Sequence, residues 1–355
     1  MNVFGDKIKL SIFGESHGAG IGIILDGLPV GETLDMDEIL RQMARRAPGA
    51  SALTTSRKEA DAPEILSGLF DGHTTGAPLA AIIRNTDTRS KDYDPTHPRP
   101  GHADLAAYLK YGGFSDYRGG GHFSGRITAP LVFAGAVCAQ ILARWDVTVG
   151  AHIAAIHNVL DDRFKDPTAE QLTRLSHSPL PLLREDRRAE METAILEARQ
   201  AGNSVGGVIE CCAVGVPAGL GSPFFGSMES RISAMMYAIP GVKGVSFGAG
   251  FDIAAMTGLE ANDPIRTDGF NFSTTSNHSG GLNGGITNGM PVILQVAMRP
   301  TPSIHQEQET VDLNKMENTT LTIQGRHDPC IAIRAVPVVE AGLAVCLLDA
   351  ALADA

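Results

Sequence analysis

The chain of 355 residues is 43% hydrophobic and carries a formal net charge of −11. It is long enough to bury a large core, and it contains no collagen period or low-complexity tract. The negative charge argues against nucleic acid as a general partner, and the longest uncharged apolar run, 129–143, is too short for a membrane span of ~20 residues.

The periodicity of the chain predicts a mixture of helices and strands. In chain order we expect strands over 9–13 and 22–28, a helix capped by Asp35, a strand over 79–83 and a helix opened by 99–104. Thr128 is the expected cap of the next helix, which is apolar nearly all round from 131 to 141 and should be buried on all sides. The remaining expected elements are helices over 185–201, 227–238 and 336–352 and strands over 205–214 and 291–298.

This order does not favour a dinucleotide-binding protein. The helices do not alternate with single parallel strands, and no strand–GxGxxG–helix unit is present. Five cysteines without metal-type spacing indicate reduced, buried thiols and a cytoplasmic location. No pattern of histidines and carboxylates has the spacing of a metal site, so we expect no catalytic metal.

Residues 118–126, Arg-Gly-Gly-Gly-His-Phe-Ser-Gly-Arg, are the most informative stretch of the chain. Three consecutive glycines can adopt positive φ and approach a ligand closely. Backbone N–H groups and the arginine at each end suit a multiply anionic ligand. A flexible surface turn is the alternative.

Four other loops also carry a histidine beside small or charged residues: 13–18, 99–104, 276–285 and 325–330. A lone histidine is more often structural than catalytic, but five such loops favour one composite polar site. Arginines fall beside these loops, whereas acidic residues concentrate in helix-like segments, so an acidic protein can hold a positive cleft.

Seven motifs resemble the chorismate synthase family in order and spacing, from about residue 5 to the C-terminus. They are Gly-Glu-Ser-His-Gly at 14–18, Arg-Pro-Gly-His-Ala-Asp at 99–104, Tyr-Arg-Gly-Gly-Gly at 117–121, Gly-Val-Pro-Ala-Gly-Leu-Gly at 215–221, Val-Lys-Gly-Val at 242–245, Ser-Asn-His at 276–278 and Gly-Arg-His-Asp-Pro-Cys at 325–330. The resemblance implies an α+β fold, with 1–355 as one domain in a β-α-β sandwich of helices between antiparallel sheets, assembled as a homotetramer.

The resemblance also implies a lyase of the shikimate pathway. It would convert 5-enolpyruvylshikimate 3-phosphate to chorismate and phosphate by a 1,4-anti elimination, with reduced FMN (FMNH2) as cofactor. Phosphate must leave and a ring proton must be removed with no net redox change, so the protein must bind the flavin, neutralise phosphate and manage one proton.

The family pattern assigns roles to individual residues. His17 resembles the acid towards the leaving phosphate, His102 the histidine that protonates the flavin, and Asp328 the carboxylate that helps remove the substrate proton. Ser16 and Ser124 resemble hydroxyls of the same site. The expected cofactor contacts are His122, Phe123, Ser124, Gly284, Arg299, Pro300, Thr301, Pro302, Ser303 and Arg326. The expected substrate-binding residues are Arg45, Arg57, Arg99, Arg126 and Arg334.

Two of these roles have structural alternatives. Asp328 has the position to cap the turn before Pro329, and His102 has the position to cap the helix near Ala103.

Several positions depart from the commonest family pattern. His122 stands where many members have an arginine thought to contact flavin, and Pro240-Gly241 replace a pair that includes an asparagine. Ala52 stands at a position linked to nicotinamide dinucleotide binding, which argues against an intrinsic flavin reductase activity and favours an external flavin reductase as partner. These departures bear on flavin affinity more than on the reaction.

Two other functional classes stay open at this point: a flavin-dependent oxidoreductase that uses the same anion loops, and a non-catalytic flavin- or phosphate-binding protein. The polar segment 84–100, which contains Pro95 and Pro98, is predicted to be a mobile loop that closes over the site.

Overall fold

Residues 2–49, 53, 54, 59, 61–88, 93–325 and 327–353 are described by this computed structural model. The helices are α1 (Met36–Arg46), α2 (Asp104–Tyr111), α3 (Thr128–Ala143), α4 (Ala169–Ser176), α5 (Arg188–Gln200), α6 (Met228–Ala238), α7 (Gly258–Ala261) and α8 (Ala332–Ala353). The strands are β1 (Val3–Phe4), β2 (Lys9–Gly14), β3 (Gly20–Asp26), β4 (Pro63–Ser67), β5 (Leu69–Phe70), β6 (His73–Thr74), β7 (Leu79–Arg84), β8 (Thr148–Ile156), β9 (Val159–Leu160), β10 (Gly207–Val214), β11 (Val242–Phe247), β12 (Ile265–Thr267), β13 (Phe272–Thr274), β14 (Leu282–Asn283), β15 (Ile286–Thr287), β16 (Val292–Met298), β17 (Gln308–Asp312) and β18 (Glu317–Leu321).

Two five-stranded antiparallel sheets form the outer layers of the fold. The first has the strand order β1-β2-β3-β7-β4 and the second has the order β11-β16-β10-β8-β9. Helix α3 contacts strands of the first sheet, helix α8 packs on β8 and β10 of the second, and the two helices pack against each other. The predicted α+β fold with helices between antiparallel sheets is therefore confirmed.

The two central helices are buried because they are apolar on nearly every face. With the turn before it, α3 forms the 19-residue segment Gly125–Ala143, so this segment and the 22-residue α8 are longer than the apolar run suggested and are long and apolar enough to span a membrane by composition. Their most apolar windows are 72% and 89% buried inside the protein. Gly135 allows them to approach closely, since a Cβ at this position would lie 2.2 Å from the Cα of Ala341. Both segments form the core of the sandwich.

Several predicted elements have different ends in the structure, and β3 covers Gly20–Asp26 rather than 22–28. Ser124 rather than Thr128 caps the chain before α3: its side chain accepts from the backbone N–H of Arg126 at 3.3 Å, and a short 3₁₀ turn precedes the helix. Helix α8 begins at Ala332, four residues before the prediction, and includes Pro337. A 3₁₀ turn over Glu185–Arg187 precedes α5, which was expected to begin at 185.

Strands β4, β8, β11, β17 and β18, helix α4 and the elements of two to four residues were not predicted. Strand β8, Thr-Val-Gly-Ala-His-Ile-Ala-Ala-Ile, is buried from Gly150 to Ile156 on both faces, so its side chains show no polar–apolar alternation. Its small residues carry weak strand propensity, which explains why the pattern was missed. The domain prediction of 1–355 as a single unit stays a prediction.

Candidate active site

A cavity of about 630 Å³ lies where the loops of the sandwich meet the N-terminal ends of α3 and α8. It is lined by residues within 93–103, 119–128, 237–243, 298–303 and 327–338, together with Arg46 and Pro48. A more open cleft of about 900 Å³ lies over α5, but no arginine or lysine of the described chain lines it. The smaller cavity is therefore the candidate site for an anionic ligand.

The glycine turn over 119–121 forms one side of the candidate site. Its three glycines have φ values of +62°, +81° and +52°, as their sequence predicts. A Cβ at Gly119 would lie 2.5 Å from the ring of His17, and one at Gly120 would lie 3.0 Å from the ring of His102. The missing side chains therefore allow two predicted catalytic histidines to contact one turn.

Ser16 and His17 lie behind this turn. The backbone N–H of Ser16 donates to the carbonyl of Gly121 at 3.1 Å, and the side chain of Ser16 is fully buried. Its Oγ has no hydrogen-bond partner among the described residues. The ring of His17 packs edge-on against Tyr93, with 5.3 Å between centroids. A buried hydroxyl without a partner next to a histidine is typical of a site that completes its hydrogen bonds with a ligand.

His102 belongs to a charged cluster with Asp104 and Arg99. Its Nδ1 lies 2.6 Å from Oδ1 of Asp104, whose other oxygen accepts from Nε of Arg99 at 2.7 Å. Burial alone would raise the pKa of Asp104, but the hydrogen bonds from Arg99 and His102 outweigh it and hold that pKa well below its ordinary value. The ionised carboxylate favours a proton on Nδ1 and leaves Nε2 to exchange protons.

The alternative role of His102 as a helix cap is wrong. Helix α2 is capped at Ala103, which makes no side-chain cap hydrogen bond, and Asp104 occupies its first turn. The side chain of His102 lines the cavity instead.

Each of the arginines that lines the cavity, apart from Arg299, is held by a buried or half-buried carboxylate. Four pairs share this arrangement: Arg46 with Asp61 (2.5 Å), Arg126 with Asp61, Arg334 with Asp328 (2.5 Å) and Arg99 with Asp104 (2.7 Å). Pairing fixes each guanidinium and its charge at the cavity wall, and in Arg46 and Arg126 all three nitrogens donate within the protein.

Arg46 is the most deeply placed of these arginines. Burial lowers its pKa to about 9, the charges of Arg334 and Arg126 act in the same direction, and Asp61 opposes the shift. The group therefore stays charged at neutral pH. Sequence reasoning had noted Arg46 only as a cation beside the loops.

Residues 299–303 form another wall. Nη1 of Arg299 donates to the carbonyl of Gly101, and Oγ1 of Thr301 donates to the carbonyl of Asp328 at 2.8 Å. Oγ of Ser303 accepts from Arg99 at 3.2 Å. The predicted cofactor residues Arg299, Thr301, Pro302 and Ser303 line the cavity, whereas Pro300 lines the open cleft.

His122, Phe123 and Ser124 line the cavity together. The rings of His122 and Phe123 lie 4.1 Å apart between centroids, and Tyr111 packs edge-on against His122 at 5.8 Å. The predicted flavin contacts of the glycine loop thus present two adjacent rings, tilted by 33° to each other, at the cavity, which suits a planar ligand.

Besides Pro300, four predicted site residues are not part of the cavity lining: Ser16 and His17, which lie behind the glycine turn, and Arg45 and Gly284, which lie further away. Nη2 of Arg45 donates to Oε1 of Glu340 at 3.0 Å, so its guanidinium faces α8. Gly284 occupies an exposed hairpin turn between β14 and β15. His278, from a loop expected to join the composite site, lies beside Asp263 at 3.4 Å and does not line this cavity.

Arg57 and Arg326, with Ala52, lie outside the described residues. The same holds for residues 89–92 of the predicted mobile loop, although Tyr93 and Arg99 of that segment line the cavity.

His327 and Lys243 line the cavity without a role having been assigned to them. Burial lowers the pKa of His327 to about 4, with the charge of Arg99 adding to the effect, so its ring is neutral at working pH. The carboxylate of Asp328 forms an ion pair with Arg334, so capping the turn before Pro329 is not its only role. Both His327 and Lys243 lie inside motifs that carried the family resemblance, which was the available signal.

The fold and this cavity define a class of protein: an α+β sandwich enzyme with a cation-lined cavity, bordered by a glycine turn that two histidines contact. The family model for chorismate synthase matches residues 8–352. The chain therefore belongs to the chorismate synthase family.

Several relatives extend over the whole chain. The chorismate synthase of Korarchaeum cryptofilum is 45% identical over 350 residues, covering 98% of this chain and 96% of the relative. That of Thermococcus kodakarensis is 44% identical over 348 residues, covering 97% and 96%. A solved structure described as a chorismate synthase crystal structure superposes with a TM-score of 0.78 at 32% identity, covering 99% of this chain and 93% of the other.

Proposed function

We propose that the protein converts 5-enolpyruvylshikimate 3-phosphate to chorismate and phosphate by a 1,4-anti elimination that requires reduced FMN. The observation that carries this proposal is the cavity that combines carboxylate-held arginines with the glycine turn over 119–121, against which His17 and His102 both lie. Family membership supports the same chorismate-forming role in the shikimate pathway.

The residues present fit a flavin phosphate and a planar ring. Cationic Arg299 and Lys243 line the cavity, the adjacent rings of His122 and Phe123 line it too, and the buried Ser16 Oγ has no partner among the described residues. When bound, reduced FMN would supply electron density to the ring that loses phosphate. His122, Phe123, Ser124 and the 299–303 wall would hold it.

The arginines would bind the substrate by its phosphate and carboxylates. Arg99, Arg126 and Arg334 each place a positive charge at the cavity wall, where an ion pair with a carboxylate fixes the guanidinium. Such preorganised donors stabilise the charge that develops on the departing phosphate. We propose the same function for Arg46, and a remote electrostatic contribution for Arg45.

Three side chains would transfer or hold the protons of the reaction. His17 would donate a proton to the leaving phosphate as the carbon–oxygen bond breaks and its electron pair departs with the oxygen. Asp328 would assist removal of the ring proton, so one proton leaves the ring and one reaches phosphate, with no net oxidation. His102, held by Asp104, would maintain the protonation state of the cofactor.

The experiment is an anaerobic incubation of the protein with 5-enolpyruvylshikimate 3-phosphate and chemically reduced FMN, with chorismate measured by chromatography. Controls contain oxidised FMN or omit the substrate. Chorismate only in the reduced sample supports the proposal. Absence of product with a folded, ligand-binding protein would favour a non-catalytic binding function, and a reduced substrate would favour an oxidoreductase.

We also propose a cytoplasmic homotetramer that takes its reduced flavin from an external flavin reductase. Large apolar side chains support assembly: Phe224, Phe225, Phe251 and Phe270 are 85%, 98%, 90% and 94% exposed. Light scattering after size exclusion measures the oligomeric state, and a monomer at micromolar concentration would contradict this part.

A further inference from the structure

We propose that Asn85 is a positioning residue that joins the arginines of the cavity to the loop carrying Ser16 and His17. This inference rests on the proposed function of His17. Asn85 lies directly after β7 and belongs to none of the motifs that predicted the site.

The side-chain amide of Asn85 makes three hydrogen bonds. Oδ1 accepts from Nε of Arg126 at 2.9 Å, and Nδ2 donates to the carbonyls of Glu15 and Gly18, both at 2.9 Å. The reversed amide would turn its N–H groups towards a guanidinium and its oxygen towards two carbonyls. The network therefore sets one orientation.

The two carbonyls mark both ends of the turn that presents the proposed acid. Glu15 and Gly18 flank Ser16 and His17, and the N–H of Gly18 donates to the carbonyl of Glu15 at 3.1 Å to close the turn. A single amide thus binds both ends of the loop. Its removal would leave the turn attached mainly through the Ser16 N–H bond to the glycine turn.

The position of Asn85 is itself fixed from the opposite side. The carboxylate of Glu59 accepts from the backbone and hydroxyl of Thr86 at 3.1 and 2.7 Å and from the N–H of Asp87 at 3.2 Å. The N–H of Asn85 also reaches the carbonyl of Ala19 at 3.4 Å. The amide is therefore held between buried anchors rather than on a free loop.

The arginine end of this link is part of the anion-binding wall. Arg126 shares the carboxylate of Asp61 with Arg46, and both arginines line the cavity. Asn85 therefore connects the group that binds the leaving anion to the group that protonates it. Because Asn85 carries no charge, its replacement should misplace His17 while leaving the positive field of the cavity in place.

Asn85→Ala should lower kcat by about 10- to 100-fold, the range expected when a catalytic group shifts by about 1 Å, with KM changed by less than about threefold. Asn85→Asp keeps the shape of the side chain, but it places a carboxylate oxygen, which can only accept, opposite two carbonyl oxygens. Its kcat should therefore fall further than that of the alanine variant. The control is Asn288→Ala, which removes an amide with similar bonds to Asn283 and Met290 away from the cavity.

The deciding measurement adds ring ¹³C–¹H spectra of the ligand-free proteins with labelled histidine. Asn85→Ala should shift the His17 signal and leave the His152 signal in place, and Asn288→Ala should shift neither. If Asn85→Ala shows the wild-type His17 signal, or if the substitution changes KM without lowering kcat, the positioning role is overturned. If the alanine variant does not fold, Asn85→Asp is judged by the same two readouts. Wild-type protein that forms no chorismate would refute the proposed function, while the spectra would still decide the positioning role.

Discussion

Asp104 is the carboxylate that holds both Arg99 and His102, so Asp104→Asn removes charge and preserves shape. The native side chain accepts four contacts: the Nε, Nη2 and backbone N–H of Arg99 at 2.7, 2.8 and 3.1 Å, and Nδ1 of His102 at 2.6 Å. Asparagine can keep the oxygen towards one partner only and must turn an amide donor towards another. We expect loss of stability and of His102 function together.

The magnitude follows from burial. Removing one partner of a fully buried ion pair costs about 3–5 kcal/mol, but the side chain of Asp104 is 20% exposed and one hydrogen bond survives. The expected loss in free energy of unfolding is therefore about 2 kcal/mol at neutral pH. The pKa of Asp104 is lowered in the folded state, so its contribution is complete above the ordinary value of 3.8 and is lost as pH falls below it.

The assay is urea unfolding of wild type and Asp104→Asn at pH 7 and across acid pH, with Asp186→Asn as control. Asp186 is an exposed aspartate that also pairs with an arginine, at 2.5 Å from Arg184, so its variant should unfold like wild type. The difference in free energy of unfolding between wild type and Asp104→Asn should be constant from pH 8 to about 5 and should become smaller below about 4. Equal stability of the two proteins at pH 7, or a gap that grows in acid, would refute the reasoning.

Three further substitutions test the site. His17→Ala should lower kcat at least 100-fold while FMN binding stays within about threefold, and wild-type turnover at neutral pH would refute its role as the acid. Gly119→Ala places a Cβ at φ +62° and 2.5 Å from His17, so it should destabilise by about 1–2 kcal/mol and slow turnover; an unchanged kcat and melting temperature would contradict that packing. His122→Ala removes a ring that lines the cavity, so it should weaken FMN affinity in the presence of substrate by about threefold or more; an unchanged affinity would place His122 away from the ligands.

Local features of the sequence were sufficient to predict the glycine turn and the central helix. Three adjacent glycines predict positive φ whatever their surroundings, and an apolar segment such as 131–141 has no polar face to expose. Both predictions depend on residues close together in the chain. Strands β2, β3 and β7 of the first sheet were predicted for the same reason.

The electrostatic partners of the site could not be predicted in this way. Asp61 holds Arg46 and Arg126, which lie 15 and 65 residues away in sequence, and Arg45 meets Glu340 across 295 residues. The periodicity of a sequence does not indicate ion pairs between residues so far apart in the chain. The arginines were therefore expected to be available to anions, and the carboxylates that pair with them were overlooked. Asp104 was quoted in a motif, but its effect on His102 needed the folded geometry.

The most direct test of the central claim is the stoichiometry of products under anaerobic conditions with FMN reduced in catalytic amount. One phosphate and one chorismate should form for each 5-enolpyruvylshikimate 3-phosphate consumed, over many turnovers, with the flavin still reduced at the end. That result is predicted because the elimination exchanges no electrons overall with the solution. Flavin oxidised in proportion to product, or phosphate released without chorismate, would contradict it.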